Sequence, residues 1–270
     1  MSDNHILLPL VSEMLTEMST VCSKFGIDFY LVGAIARDIH LSANEELLSK
    51  RRTKDVDLAI TISDQGQYNH VKASLIATGL FEGHESEAIK LIYKKGIEVD
   101  LLPFGEIEQP DRNVRLTDPT FVLNMPGFTE VYPFVKDHDI GNGQIIKVCT
   151  IEGIILLKLI ANDDRPERTK DIADIDHLIQ SYFDLNDDDI YMLHYDILEL
   201  YDTDDTDYIQ LVCSRLIGRK ISHMLSQSGE LADRVRKILA KRETNRWHAK
   251  LMGMGDGWST QYAISMEKLS

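Results

Sequence analysis

Residues 53–60 read TKDVDLAI, and the two acids at the head of this apolar run decide how the chain is read. Asp55, Val56, Asp57, Leu58, Ala59 and Ile60 mix β-branched and apolar residues as a strand entering a core does. Side chains on a strand alternate faces, so Asp55 and Asp57 share one, about 7 Å apart at Cβ by the two-residue rise. Like charges at that spacing repel unless a cation lies between them. Mg²⁺ suits the role, because it takes one or two carboxylates and completes its shell with phosphate oxygens. Alone, Asp-x-Asp is a weak motif, and a solvated strand end after the basic run KRRTK would read the same way.

A third acid strengthens the metal reading. Asp100 lies in GIEVDLLPF, among Val99, Leu101 and Leu102. A lone buried charge is costly, so such a group is normally paired, protonated or bound to metal. If the two strands are neighbours, three carboxylates converge on one edge. That arrangement holds two metal ions for in-line attack on a nucleotide α-phosphate. Asp100, nearest the acceptor, would also help deprotonate the attacking hydroxyl. In YLVGAIARD a strand ends at Gly33 and a helix begins at once. The free amides of Ala34 to Ala36, aided by the helix dipole, would cradle a triphosphate.

Bulk properties bound the class. The chain has 270 residues, 43% hydrophobic and 27% charged, ordinary for a soluble globular protein. It contains no apolar run of about 18 residues, and its N-terminus lacks the basic start of a signal peptide. Cys22, Cys149 and Cys213 are too widely spaced for a disulfide framework or a zinc cluster. A cytoplasmic protein without membrane partners is expected. The net charge of −15 argues against indiscriminate polyanion binding. It is unevenly spread: residues 184–207 carry ten acids and no Lys or Arg, while residues 215–250 carry ten Lys/Arg against three acids. Arg219, Arg234, Lys237 and Lys241 of the basic segment fall at helical spacings, the pattern of a phosphate-contacting stripe or of a solvated face.

The order of elements predicts an α+β fold: a mixed sheet with helices over residues 1–150, then an all-helical half over 151–270. A helix is expected over 5–25, a Ser63-capped helix to about 78, and a hairpin pivoting on Gly96. Ile151 to Ile160 and RPERTKDIADIDHLIQSY read as successive helices, the second with Pro166 near its start. The histidines show no metal-site spacing. GMGDGW near the C-terminus follows no strand and reads as a flexible tail rather than a phosphate loop.

Strand–Gly–helix, then Asp-x-Asp, then a lone Asp on a later strand resembles the nucleotidyltransferase fold of the DNA polymerase beta superfamily. LVGAIARD followed by DVDLAI also resembles the opening of CCA-adding enzymes. The helical half is closer to the AbiEii-type branch of toxin-like nucleotidyltransferases, which carries a Lys on one helix and an Arg/Lys-Asp step on the next. Here LLKLIANDDRPERTKDIADI supplies Lys158, Arg165, Arg168, Lys170 and Asp171. The resemblance covers roughly residues 28–180.

It implies catalytic roles for Asp55, Asp57, Asp100, Lys158 and Asp171, with the first three on the metal. It implies nucleotide binding by Gly33, Ala34, Arg37, Lys158 and Arg168, with Asp171 orienting the lysine or the nucleotide. Two Mg²⁺ ions (or Mn²⁺) and an NTP co-substrate follow, with a tRNA 3′ end or other RNA as acceptor and an antitoxin protein as partner. Transfer to a protein or a small molecule such as an antibiotic stays open, as does a nucleotide-binding module without activity. One departure stands out: Ala34 replaces the Gly or Ser that usually follows Gly33, and it cannot give a phosphate its hydroxyl.

Overall fold

In the computed structural model, Leu7 and residues 9–42, 54–108, 110–117, 119–141, 143–241 and 248–259 are described. The basic run at 50–53, together with Arg242 and Arg246, lies outside them. The chain divides into two compact units, Met1–Thr150 and Ile151–Ser270.

In the first unit, helix α1 (Pro9–Lys24) places Val11, Met14, Leu15, Met18, Val21 and Cys22 on one buried stripe and precedes Gly26, whose φ is 63°. Strand β1 (Phe29–Val32), wholly buried, runs directly into α2 (Gly33–Leu41). Next come β2 (Asp55–Thr61), α3 (Gln65–Ala77), β3 (Phe81–Gly83), β4 (Lys90–Tyr93) and β5 (Ile97–Phe104). β6 (Asn113–Thr117) and β7 (Thr120–Asn124) form a small separate hairpin. The short α4 (Phe128–Val131), β8 (Lys136–Asp139) and β9 (Ile145–Val148) complete the unit.

The main sheet has seven strands in the order β3-β4-β5-β2-β1-β9-β8. β2 pairs parallel with β5 and antiparallel with β1, so the acid-bearing strands are neighbours in the middle of the sheet. Gly96 turns the β4–β5 hairpin, with Tyr93 opposite Ile97. The α3 cap differs from expectation: it is Asp64, not Ser63, whose carboxylate accepts from the Gln67 N–H at 2.9 Å. Cys22, Cys149 and Cys213 are buried and unbridged.

The second unit is helical: α5 (Ile151–Asp164), α6 (Thr169–Leu193), α7 (Tyr208–Met224), α8 (Gly229–Ala240) and α9 (His248–Ser259). Pro166 lies in the turn just before α6, near its start. The GMGDGW segment is not a tail. It forms the C-terminal half of α9, because its glycines let that helix sit directly on the backbone of α7. A Cβ on Gly257 would come within 2.0 Å of the Arg215 carbonyl oxygen. One on Gly218 of α7 would lie 2.3 Å from the Met254 carbonyl oxygen. Close helix approach selects small residues, and here they read as a loop when taken alone. Among the described residues no helix is long and apolar enough to cross a membrane.

Candidate active site

The site is built where β1 meets α2. Gly33 opens the helix with φ 66°, a left-handed conformation that glycine adopts at no steric cost. Val32 at the N-cap provides no side-chain cap, leaving the first-turn amides for an external acceptor. Ala34 and Arg37 lie on this helix, and the Arg37 guanidinium is ion-paired at 2.8 Å with the neighbouring Asp38.

Asp57 stands beside this turn. It is paired in register with Val32 on one side and Asp100 on the other. A Cβ added at Gly33 would meet Asp57 Oδ2 at 2.0 Å, so glycine is required for space as well as for backbone. The parallel register also sets Asp55 opposite Glu98. Two rungs of carboxylates therefore lie on one sheet face: Asp57 with Asp100, and the exposed Asp55 with the exposed Glu98. Glu98 was missed in the sequence, although EVD on β5 repeats the acid–Val–Asp pattern of DVD on β2.

Lys90 was missed as well. It is the antiparallel partner of Asp100, and its ammonium binds Glu98 at 2.8 Å and Glu87 at 3.4 Å. Burial raises the Asp100 carboxyl above its ordinary value, the Lys90 charge opposes this, and Glu87, Glu98 and Asp55 add to the rise. Asp100 Oδ1 is buried without a hydrogen-bond partner. An unmade bond of that kind costs about 1–3 kcal/mol, and a hard cation would satisfy it. Asp57 and Asp100 fit the one or two carboxylates that Mg²⁺ takes. Asp55 stands one pleat further out. Among the described residues no group of three acidic, histidine or cysteine side chains could enclose one ion, so the three acids do not form a closed cage.

In the helical unit, Lys158 on α5 binds Asp171 at 3.1 Å and Asp174 at 2.6 Å, both on α6. Arg168 reaches the other oxygen of Asp171 at 2.8 Å. Asp171 is 1% exposed, so two cations hold one buried carboxylate. Asp174, a turn beyond Asp171, was not singled out in the sequence. Arg165 and Lys170 are exposed.

The expected basic stripe is largely neutralised within its own unit. Arg219 is buried and pairs with Asp196 at 2.6 Å. Arg234 binds Asp163 and Asp164 at 3.1 and 2.7 Å, and Lys241 also binds Asp163. Among the described Lys and Arg of residues 215–250, all but Lys237 form an ion pair with an acid. Helical spacing predicted the stripe, but partners on other helices decide what its charges face.

No curated protein matches the chain. Among solved structures it is similar to an antigenic nucleotidyltransferase-like protein from Paracoccidioides brasiliensis, at 16% identity and a TM-score of 0.42, over 86% of this chain and 93% of that one. It is also similar to the antibiotic-resistance factor ANT(2″)-Ia in solution, at 11% identity and a TM-score of 0.39, over 81% of this chain and 97% of that one. The crystal structure of ANT(2″)-Ia with adenylyl-2″-tobramycin matches at 14% identity and a TM-score of 0.38, over 68% of this chain and 94% of that one. The sequence itself matches the family described as nucleotidyl transferase AbiEii toxin, type IV TA system, over residues 17–257. With a match over most of its length, the chain belongs to the AbiEii nucleotidyltransferase family.

Proposed function

We propose that the protein transfers a nucleoside monophosphate from an NTP to a hydroxyl acceptor, foremost a tRNA 3′ end. One observation carries this reading: the Asp57 carboxylate lies against the Gly33 turn and in register with Asp100. Phosphate-binding amides and metal-binding acids are thereby adjacent on one face. When bound, Mg²⁺ or Mn²⁺ would supply Lewis-acid neutralisation of the phosphate charge, and Asp57 and Asp100 are the residues that would hold it, with Asp55 further out. The first-turn amides of α2 donate to the triphosphate oxygens, and Ala34 contributes its N–H alone. Asp100, partly desolvated, takes the proton of the acceptor hydroxyl as its oxygen bonds to the α-phosphorus, and the α–β bond breaks to release pyrophosphate. Protein catalysis of this kind is chiefly positioning and charge stabilisation.

Within the helical unit, the same reading keeps the roles that the family resemblance implies for Lys158, Arg168 and Asp171. Lys158, steered by Asp171 and Asp174, contacts phosphate, and Arg168 keeps Asp171 in place. Arg37 supports the phosphates from the second turn of α2. Membership of a toxin–antitoxin family supports an antitoxin partner; the RNA acceptor rests on the resemblance of the sequence, and the paired charges of residues 215–250 add nothing to it. The test is incubation with each α-labelled NTP, Mg²⁺ and total tRNA. Label on RNA with the wild type and none with Asp57→Ala is expected. Label on protein or on an aminoglycoside would move the acceptor to those classes, and no label anywhere would end the transferase reading.

A further inference from the structure

Apolar exposure in this chain is concentrated. Five of the nine large apolar side chains exposed among the described residues (Tyr191, Met192, Tyr195, Leu200 and Ile209) fall between 191 and 209. They fall on the last turn of α6, the short 3-10 turn at Tyr195–Ile197, the connection that holds Leu200, and the start of α7. Met192 is 77% exposed and Tyr195 63%, far beyond the partial exposure of a side chain at a core margin. The segment is anchored from beneath: Ile190 and Ile197 are fully buried, and the Tyr208 hydroxyl donates to the Leu198 carbonyl at 2.8 Å. Tyr191 stands edge-on to Phe183 at 6.0 Å. An apolar patch on an ordered scaffold, rimmed by polar groups, marks a contact surface. Tyr and Met are enriched at the centres of such surfaces.

The charge around it selects the partner. Of the ten acids in 184–207, Asp189 pairs with Lys220 and Asp196 with Arg219. Asp184, Asp187, Asp188, Glu199, Asp202, Asp204, Asp205 and Asp207 have no ion pair among the described residues, whereas the basic residues of α7 and α8 are nearly all matched. A strongly negative rim repels nucleic acid and anionic lipid. It also repels a second copy of a chain of net charge −15.

We propose that this face docks a basic amphipathic segment of another protein. The apolar side of that segment covers Tyr191, Met192 and Tyr195, and its Lys and Arg meet the unmatched acids. This inference is independent of the nucleotidyl-transfer reading. The acids would steer association and the apolar centre would set its lifetime.

The test uses the full-length protein and a fluorescent helical Leu/Lys amphipathic peptide, followed by anisotropy over a salt series. Wild type is expected to bind in a salt-sensitive manner. The double variant Met192→Ser/Tyr195→Ser and the triple variant Asp202→Asn/Asp204→Asn/Asp205→Asn should each bind about tenfold more weakly. Their melting temperatures should be unchanged, because these side chains are exposed. A control that removes the same charge elsewhere, Glu106→Gln/Asp137→Asn/Asp139→Asn, should bind as wild type does. The proposal is overturned by no binding at low salt, by patch variants that bind normally, or by an equal loss in the control. It is also overturned if wild type sediments as a dimer that Met192→Ser/Tyr195→Ser dissolves, since a second copy would then be the occupant.

Discussion

The carboxylate of Asp57 occupies the space into which a side chain on residue 33 would grow: a Cβ on Gly33 would stand 2.0 Å from Asp57 Oδ2. Gly33 also holds φ 66°. Gly33→Ala therefore meets two penalties, about 1–2 kcal/mol for the left-handed backbone and about 1–3 kcal/mol of overpacking. In an Asp57→Ala background only the first should remain. Denaturant titration of the four proteins checks this, and equal costs in both backgrounds would show that the two residues do not touch.

Asp57→Ala alone should abolish nucleotidyl transfer while the fold persists, with stability equal or higher because neighbouring carboxylates no longer repel. A labelled-NTP assay decides. Activity within tenfold of wild type would remove Asp57 from the metal-binding set.

Lys158→Ala should weaken NTP binding, but not silently. The change strips one cation from the buried Asp171, at a cost of about 1–3 kcal/mol, while Arg168 continues to hold that carboxylate. Lys158→Arg should restore stability and part of the affinity. Nucleotide titration of both variants separates the roles, since unchanged affinity in a destabilised Lys158→Ala protein would leave Lys158 purely structural.

Charge reversal in the basic segment should act on the fold before it acts on any RNA. Arg234→Glu would set a third negative charge beside Asp163 and Asp164, which now share Arg234 and Lys241. A drop in melting temperature is expected for Arg234→Glu and none for the exposed Lys237→Glu. If Lys237→Glu instead cuts RNA labelling with its melting point intact, this face does contact the acceptor.

The helical unit carries a buried ionised cluster with its own pH signature. Glu152 accepts from the Tyr182 hydroxyl and binds Lys220 at 3.1 Å, and Lys220 also reaches Asp189 at 2.9 Å. Burial pushes the Glu152 carboxyl up, but the Lys220 charge and the Tyr182 hydrogen bond outweigh it and hold the group at about 2, below its ordinary 4.5. A carboxyl depressed by folding stabilises the native state fully above its unfolded value and loses that contribution as pH falls toward its folded one. The stability difference between wild type and Glu152→Gln should be constant above about pH 4.5 and shrink below it. Lys220→Met, which strands the buried carboxylate, should cost about 3–5 kcal/mol at neutral pH. A loss below 1 kcal/mol would mean that water already reaches Glu152.

Local chemistry settled much of this protein in the sequence alone. β-branched and apolar runs marked β2 and β5, helical spacing marked α1, α5 and α6, and the strand–Gly–helix step marked the β1–α2 turn, because each depends on residues within a few positions of one another. The types of residue in the candidate site were legible for the same reason. Their arrangement was not. That Asp57 rather than Asp55 stands opposite Asp100, that Glu98 and Lys90 join the same face, and that Asp64 rather than Ser63 caps α3 follow from strand register and side-chain reach. Long-range partners likewise turned an apparent basic stripe into matched ion pairs. They also turned a glycine-rich apparent tail into a helix seated on α7, because glycine reads as a breaker locally and as a close-packing residue only when a second backbone lies against it.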